Sequence, residues 1–426
     1  MKAKYLLIIF SVACVLGACS REEENLFDKS ASERAQAALE NADNVFTGAK
    51  NGWEMLYFAN PSSCGYSIIL RFKKDGQIVA TAKNETTTRN KLLTDSASTW
   101  DIKNDYGPII TFDTYNSVFH AWSDPGNDGD GLLGDYEFLI LHADSSFVKL
   151  KGKKHGAYCY LYPLEEGVTE AQYFADVEAM QKRMFGNSNL LHLQTSGKEY
   201  LLRDGSSGIF TLTDLGVVAV GEDPDINPFA VTRTGIQMMS PFLDLTATTY
   251  TLQEAEVVGE DSKIAAASPA EYINEYISIL SGSWTIDMAE IGDSISSVIG
   301  SINTALKATY KNNKKNASVN SLVFKKTTKG LVLVFSYYGN SSKATTDMSY
   351  LFDVTASDGA ASFTYSGPAD ENAQKTVNAF PDIEKLLNTL SGTYETVANE
   401  PINPTAGIKL TNKSNSELWF TIQGKM

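Results

Sequence analysis

Asn51-Gly52-Trp53-Glu54-Met55-Leu56-Tyr57-Phe58, followed by Tyr66-Ser67-Ile68-Ile69-Leu70-Arg71-Phe72 and Ile78-Val79-Ala80-Thr81-Ala82, decides the fold class. Each run is short, rich in β-branched and aromatic residues, and bounded by turn formers. Lys74-Asp75-Gly76 between the second and third runs reads as a hairpin turn. Strands joined this tightly are antiparallel, because a parallel pair needs a long crossover. Similar runs recur at 109–112, 136–141, 147–150, 157–162, 190–193, 199–202, 209–212 and 217–220, and again at 322–324, 331–335, 350–354 and 362–365.

Helix signals lie between the strand groups. Ser30-x-x-Glu33 is a capping box ahead of Ala35, Ala38, Leu39, Ala42, Val45 and Phe46 at helical spacing. Thr169-x-x-Gln172 opens a second helix, and Ser268-Pro269-x-Glu271 a third with proline in its first turn. Ile295, Val298, Ile299 and Ile302 mark a fourth. A last helical stretch, 370–390, must break or kink at Pro381. The expected class is α+β, mainly antiparallel β-sheets with a few packed amphipathic helices, in two tandem related domains.

The tandem reading rests on a repeat. Helix then Asn51-Gly52-Trp53 recurs as helix then Ser281-Gly282-Ser283-Trp284, and more loosely as helix then Ser391-Gly392-Thr393-Tyr394. The glycine is expected to end the helix in a left-handed conformation, and the aromatic to seed the next strand. A second match pairs Thr234-Gly235-Ile236-Gln237-Met238 with Ala406-Gly407-Ile408-Lys409-Leu410. The expected organisation is a signal peptide at 1–18, an acidic tether at 19–26, a domain at 27–258, a small polar linker at 259–268 and a domain at 269–426.

The leader concerns location. Lys2 and Lys4 precede an apolar run of about 11 residues, too short to span a bilayer. Leu16-Gly17-Ala18-Cys19 closes it and resembles the lipobox of bacterial lipoproteins. That resemblance implies cleavage before Cys19, acylation of its thiol and anchoring to membrane lipid. Arg21-Glu22-Glu23-Glu24 just beyond resembles the export signal of surface lipoproteins in Bacteroidota-type bacteria, which implies the outer membrane and its outer face, with the periplasmic face as the alternative.

The net charge of −15 becomes −17 once Lys2 and Lys4 leave, a surface that repels nucleic acid. Twenty Tyr, twenty Phe and five Trp suit a β-rich core. Trp53, Trp284 and Trp419 are expected in that core, Trp100 and Trp122 at exposed contacts. Cys64 and Cys159 are either two buried thiols or a disulfide closing a loop of about 95 residues, worth roughly 4–5 kcal/mol.

Catalytic motifs are sparse. Gly129-Asp130-Gly131-Leu132-Leu133-Gly134 fits a dinucleotide fingerprint as a string, but it runs into a strand and its acids repel a pyrophosphate. Asp124, Asp128, Asp130 and Asp135 lie in a stretch with the span of a calcium loop, yet Gly126 and Gly131 replace ligand or anchor positions, so a solvated loop is expected. With Trp122 these aspartates form the candidate binding loop; no metal or other cofactor is expected. The four histidines, His120, His142, His155 and His192, match no metalloprotease spacing. Glu165-Glu166 or Asp223 with Asp225 are the carboxylates a hydrolase would use.

Gly134-Asp135-Tyr136-Glu137-Phe138, Val148-Lys149-Leu150-Lys151-Gly152-Lys153-Lys154, the opening Leu26-Phe27-Asp28-Lys29-Ser30-Ala31-Ser32-Glu33-Arg34 and Asn51-Gly52-Trp53 together resemble a domain-of-unknown-function family of Bacteroidota lipoproteins, over about residues 20–250. The resemblance implies location and architecture; it brings no activity and no site residues. The expected function is a non-enzymatic binding or accessory role at the cell surface, with a glycan or an envelope protein as partner. The alternatives are an assembly component of an envelope or adhesive complex, and a hydrolase with an unrecognised carboxylate pair.

Overall fold

The first sheet begins with a helix. In the computed structural model, which describes residues 29–425 apart from 126–130, 187–189, 204–206, 215–224, 314 and 358, α1 (Ala31–Gly48) starts at Ser30 with both bonds of the capping box in place. It buries Ala42 and Phe46. Nine strands follow: β1 (Trp53–Phe58), β2 (Tyr66–Phe72), β3 (Gln77–Ala82), β4 (Leu93–Thr99), β5 (Asp101–Asn104), β6 (Pro108–Thr111), β7 (Glu137–Ala143), β8 (Val148–Gly152) and β9 (Tyr158–Pro163). All pairings are antiparallel, in the order β4-β3-β2-β1-β9-β8-β7-β6-β5. The two edge strands are consecutive in the chain, separated only by Trp100, so the sheet curls until its edges meet there. Asp113 N donates to Thr99 O at 3.1 Å across that seam. The aromatic interior, including Phe46, Trp53, Phe72, Trp100 and Trp122, fills the resulting concavity.

α2 (Glu170–Phe185), capped by Thr169, leads into β10 (Leu191–Gln194), β11 (Glu199–Arg203), β12 (Ile209–Asp214), β13 (Asp225–Val231), β14 (Gly235–Met238), β15 (Thr249–Gln253), β16 (Glu256–Val258) and β17 (Lys263–Ala265). β10 pairs with β17, which closes a barrel. Residues 259–268, expected as a linker, therefore contain the closing strand: Ile264 and Ala265 are buried apolar side chains after the polar Asp261-Ser262-Lys263, a run too short to show a strand pattern. The stretch 27–258 holds the first sheet and nearly all of this barrel.

α3 (Pro269–Ile279) precedes the third unit: β18 (Ser283–Ile291), α4 (Asp293–Thr309), β19 (Ser318–Thr327), β20 (Gly330–Tyr338), β21 (Thr345–Ser357), β22 (Ala360–Pro368), α5 (Glu371–Ala379), α6 (Asp382–Leu390), β23 (Gly392–Ala398), β24 (Ile408–Asn412) and β25 (Trp419–Lys425). β18 pairs with β25 and closes a second barrel. The break between α5 and α6 falls at Phe380-Pro381, where proline was expected to interrupt the helix. The chain is thus α+β and mainly antiparallel. No helix among the described residues is long and apolar enough to cross a membrane.

The repeat has a physical basis that is not the one expected throughout. Trp53 Nε1 donates to Phe46 O at 2.9 Å, Trp284 Nε1 to Ile273 O at 3.1 Å, and the Tyr394 hydroxyl to Leu390 O at 3.0 Å. Each aromatic therefore donates to a carbonyl of the helix before it, an unpaired end carbonyl for Trp53 and Tyr394 and a mid-helix one for Trp284. Gly52 takes the left-handed conformation (φ +95°), but in the second copy that role passes to Ser281 (φ +53°), while Gly282 lies flat against the Tyr276 ring. The other match is not equivalent in the two barrels: Gly235 opens β14, mid-barrel, whereas Ile408 opens β24, the penultimate strand.

Candidate functional site

Of the expected binding loop, Trp122, Asp124 and Asp135 lie among the described residues. Trp122, expected at an exposed contact, is 1% exposed and packs against Tyr57 and Tyr66, each at 5.0 Å between ring centroids. Trp100 is likewise buried, at the seam of the first sheet. Both sit in polar stretches of sequence, and only closure of the sheet covers them. Asp124 is exposed and accepts a hydrogen bond from the Tyr115 hydroxyl at 2.8 Å. Asp135 is turned inward: its carboxylate accepts from the backbone N–H groups of Lys154, His155 and Ala157 at 3.0–3.1 Å. Asp128 and Asp130 lie outside the described residues, as do Cys19, the leader, the acidic tether and Asp223. Among the described residues no three His, Cys, Asp or Glu side chains are grouped to hold a metal ion.

The remaining candidates are placed as follows. Cys64 and Cys159 are separate thiols, Cys159 wholly buried in β9 and Cys64 half-buried beside Gly208. Burial pushes both thiols up from their ordinary range. Trp53 and Trp284 are core residues as expected, but Trp419 is half-buried, with the Lys409 ammonium 4.3 Å from its ring centre. His120 is structural: Asn116 N donates to its Nδ1 at 3.0 Å and Nε2 faces Phe112 O at 3.2 Å, and burial pushes its pKa down. His192 is held between Glu199 at 2.8 Å and Glu275 at 3.1 Å.

Convergent polar groups gather where the first sheet meets the first barrel, β10 to β17. A cleft of about 230 Å3 opens between β1 and β9 on one side and the β13–β14 turn on the other. Glu54 and Tyr162 face each other across β1 and β9 as register partners. The Glu54 carboxylate accepts from the Tyr173 hydroxyl of α2 at 2.5 Å. Burial raises the Glu54 pKa; the Tyr173 hydrogen bond and the Arg233 guanidinium oppose that rise, and Glu165 adds to it. On the barrel side Gln237, fully buried, accepts at Oε1 from the Tyr162 hydroxyl at 2.8 Å and from Thr249 Oγ1 at 2.7 Å. Arg233, in the β13–β14 turn, bonds Asp176 of α2 through Nε at 3.0 Å and Glu165 through Nη1 at 2.9 Å.

Of the expected carboxylates Glu165 lines this cleft, and Glu166 is exposed and does not; Asp223 and the side chain of Asp225 lie outside the described part of the structure. Glu54 went unread, although a charge in the apolar run Trp53 to Phe58 was its signal: a carboxylate carried into a buried strand needs partners. The larger cavities are poorer in convergent groups. One of about 780 Å3 near the third unit has its charges set against each other, Arg183 with Glu400 at 3.5 Å. One of about 380 Å3 is lined by Phe174, Val177 and Phe229 together with the Lys83–Glu178 ion pair.

No curated protein matches the chain. The crystal structures of a DNA polymerase sliding clamp from Pseudomonas aeruginosa and of a DnaN sliding clamp from Bartonella birtlesii cover 92% and 93% of this chain and 98% of their own, at 8% and 9% identity. Their TM-scores are both 0.12, so that likeness carries no argument about fold or function. Residues 23–253, more than half of the 426-residue chain, match the family described as Domain of unknown function (DUF4302); the match takes in the first sheet and every residue of the cleft, and the chain belongs to that family.

Proposed function

We propose that this chain is a lipoprotein anchored in the outer membrane through an acylated Cys19, facing the cell surface, with a non-enzymatic binding or accessory role. The observation that carries the reading is Leu16-Gly17-Ala18-Cys19 at the end of a short apolar run, followed by an acidic tether. The cleft supports the binding half: a small polar pocket, largely preformed, at the junction of two units is where ligands are generally held. Intact cells labelled with a clickable palmitate analogue test the anchor. Label on the wild-type chain that disappears in Cys19→Ala is expected; an unlabelled wild type overturns it. Protease added to the same cells is expected to digest the chain, and protection places it on the periplasmic face.

Hydrolysis is the rival reading, because Glu54 and Glu165 line one cleft. Each is engaged, Glu54 by Tyr173 and Glu165 by Arg233, which favours holding a ligand over moving protons. Release of reducing ends from a polysaccharide by wild type but not by Glu54→Gln would reverse that choice.

A further inference from the structure

We infer that the cleft between the first sheet and the first barrel binds one neutral, polyhydroxylated ring, the size of a single monosaccharide unit. The inference rests on the binding role proposed above and gives it a ligand class. Three observations on the cleft carry it.

The first is size. At about 230 Å3 the cleft falls below the roughly 300–1,000 Å3 of pockets for drug-sized ligands, so it admits one ring and not a chain of them. The second is charge. Glu54 and Glu165 repel an anion, and the Arg233 guanidinium at the same wall repels a cation. Arg233 is already committed to Glu165 and Asp176, so an anion finds no free cation, and a cation reaching Glu54, buried and already bonded by Tyr173, would have to shed its water. Hydroxyl groups meet no such penalty, since they donate to a carboxylate and accept from a guanidinium.

The third is the distribution of polar and apolar surface. Glu54, Arg233, Thr232 and Thr249 supply acceptors and donors along the rim and floor, while Tyr162, Pro163 and Leu164 supply apolar surface on the β9 side. A sugar ring presents this same pairing, C–H groups on its faces and hydroxyls on its edge. Gln237 holds the floor in place: its bonds to Tyr162, Thr249 and the Met238 carbonyl fix the hydroxyls that the ligand would meet. A pocket preorganised in this way loses little entropy on binding.

The test is calorimetric titration of the full-length chain with D-glucose, D-galactose and D-mannose, alongside glucuronate and glucosamine as the anionic and cationic forms of the same ring. Saturable binding of a neutral sugar is expected, tighter than either charged analogue. Glu54→Gln should raise its dissociation constant at least about tenfold, and Thr234→Trp, at an exposed position on the rim, should abolish binding. Unchanged thermal unfolding of both variants confirms that they fold. Tighter binding of glucuronate or glucosamine overturns the ligand class. Sugar binding that both folded variants retain overturns the site, and no binding by any of the five overturns the inference. None of these results bears on Cys19, whose palmitate labelling reads the anchor separately.

Discussion

Asp135 explains why its surroundings look as they do. Its carboxylate gathers the N–H groups of Lys154, His155 and Ala157, so the turn after β8 is held from inside the sheet. Gly152 must lack a side chain for this: a Cβ there would stand 1.9 Å from Asp135 Oδ2. Gly134 is bare for a similar reason, since a Cβ would lie 2.6 Å from the Trp122 Cβ. The Tyr57 hydroxyl accepts from Asp135 N at 2.9 Å, and Lys153 reaches Glu137 at 3.1 Å. Asp135→Ala would strand buried donors and is expected to cost about 2–4 kcal/mol in urea unfolding. Gly152→Ala should cost about 1–3 kcal/mol through overpacking. Because the added methyl collides with the carboxylate that the other change removes, the double variant should lose less than the sum of the two. Strict additivity would mean that Gly152 is required for some other reason.

At the scale of elements, a helix followed by a glycine and an aromatic is a device for ending the helix and starting a strand in one step. The ring donors of Trp53 and Tyr394 take up carbonyls that the helix end leaves unpaired, that of Trp284 adds a second bond to the mid-helix Ile273 carbonyl, and each ring then enters the core. Trp53→Phe and Trp284→Phe should each cost about 1–3 kcal/mol, from a lost hydrogen bond and lost volume together. Tyr394→Phe removes only a hydroxyl and should cost about 0.5–1.5 kcal/mol. Equal losses at all three in denaturant titrations would show that the hydrogen bond alone matters, and no loss at Tyr394 that packing alone does. The helices were legible because their caps are local: Ser30, Thr169, Ser268 and Asp370 each accept from a backbone N–H three residues on. β1 to β3 were legible by their apolar runs. β4 was not, because Leu93-Thr94-Asp95-Ser96-Ala97-Ser98-Thr99 is polar and mostly exposed, paired on the β3 side only. β15 to β17 are three to five residues long, too short to show a period. The cleft was illegible for a further reason: Glu54 and Arg233 lie far apart in sequence, and only docking of the β13–β14 turn against β1 and β9 brings them together.

Across the whole molecule, the first barrel, β10 to β17, and the third unit are built to stay together. Leu190 and Leu201 of the first barrel belong to the core of the third unit, and Ile402 of the third unit is buried in the core of the first barrel. His192 sits at this junction, on β10, with Glu199 of β11 on one side and Glu275 of α3 on the other. Burial pulls the His192 pKa down, but the two carboxylates outweigh it and the net shift is upward from 6.5. A histidine whose folded pKa exceeds its unfolded value contributes stability in full below the unfolded pKa, and that contribution is lost as pH rises through the folded value. His120 works in the opposite sense, since its folded pKa is depressed, so the thermal unfolding of the wild type alone mixes the two. The difference between wild type and His192→Gln separates them. At pH 5.5 the wild type should unfold about 2–4 °C higher, equivalent to about 1 kcal/mol after allowing for the partial exposure of Glu199 and Glu275. The gap should narrow steadily as pH rises through 7 and above. A gap independent of pH would show that His192 acts there as a neutral hydrogen-bonding group, and that the junction is held by its apolar side chains alone.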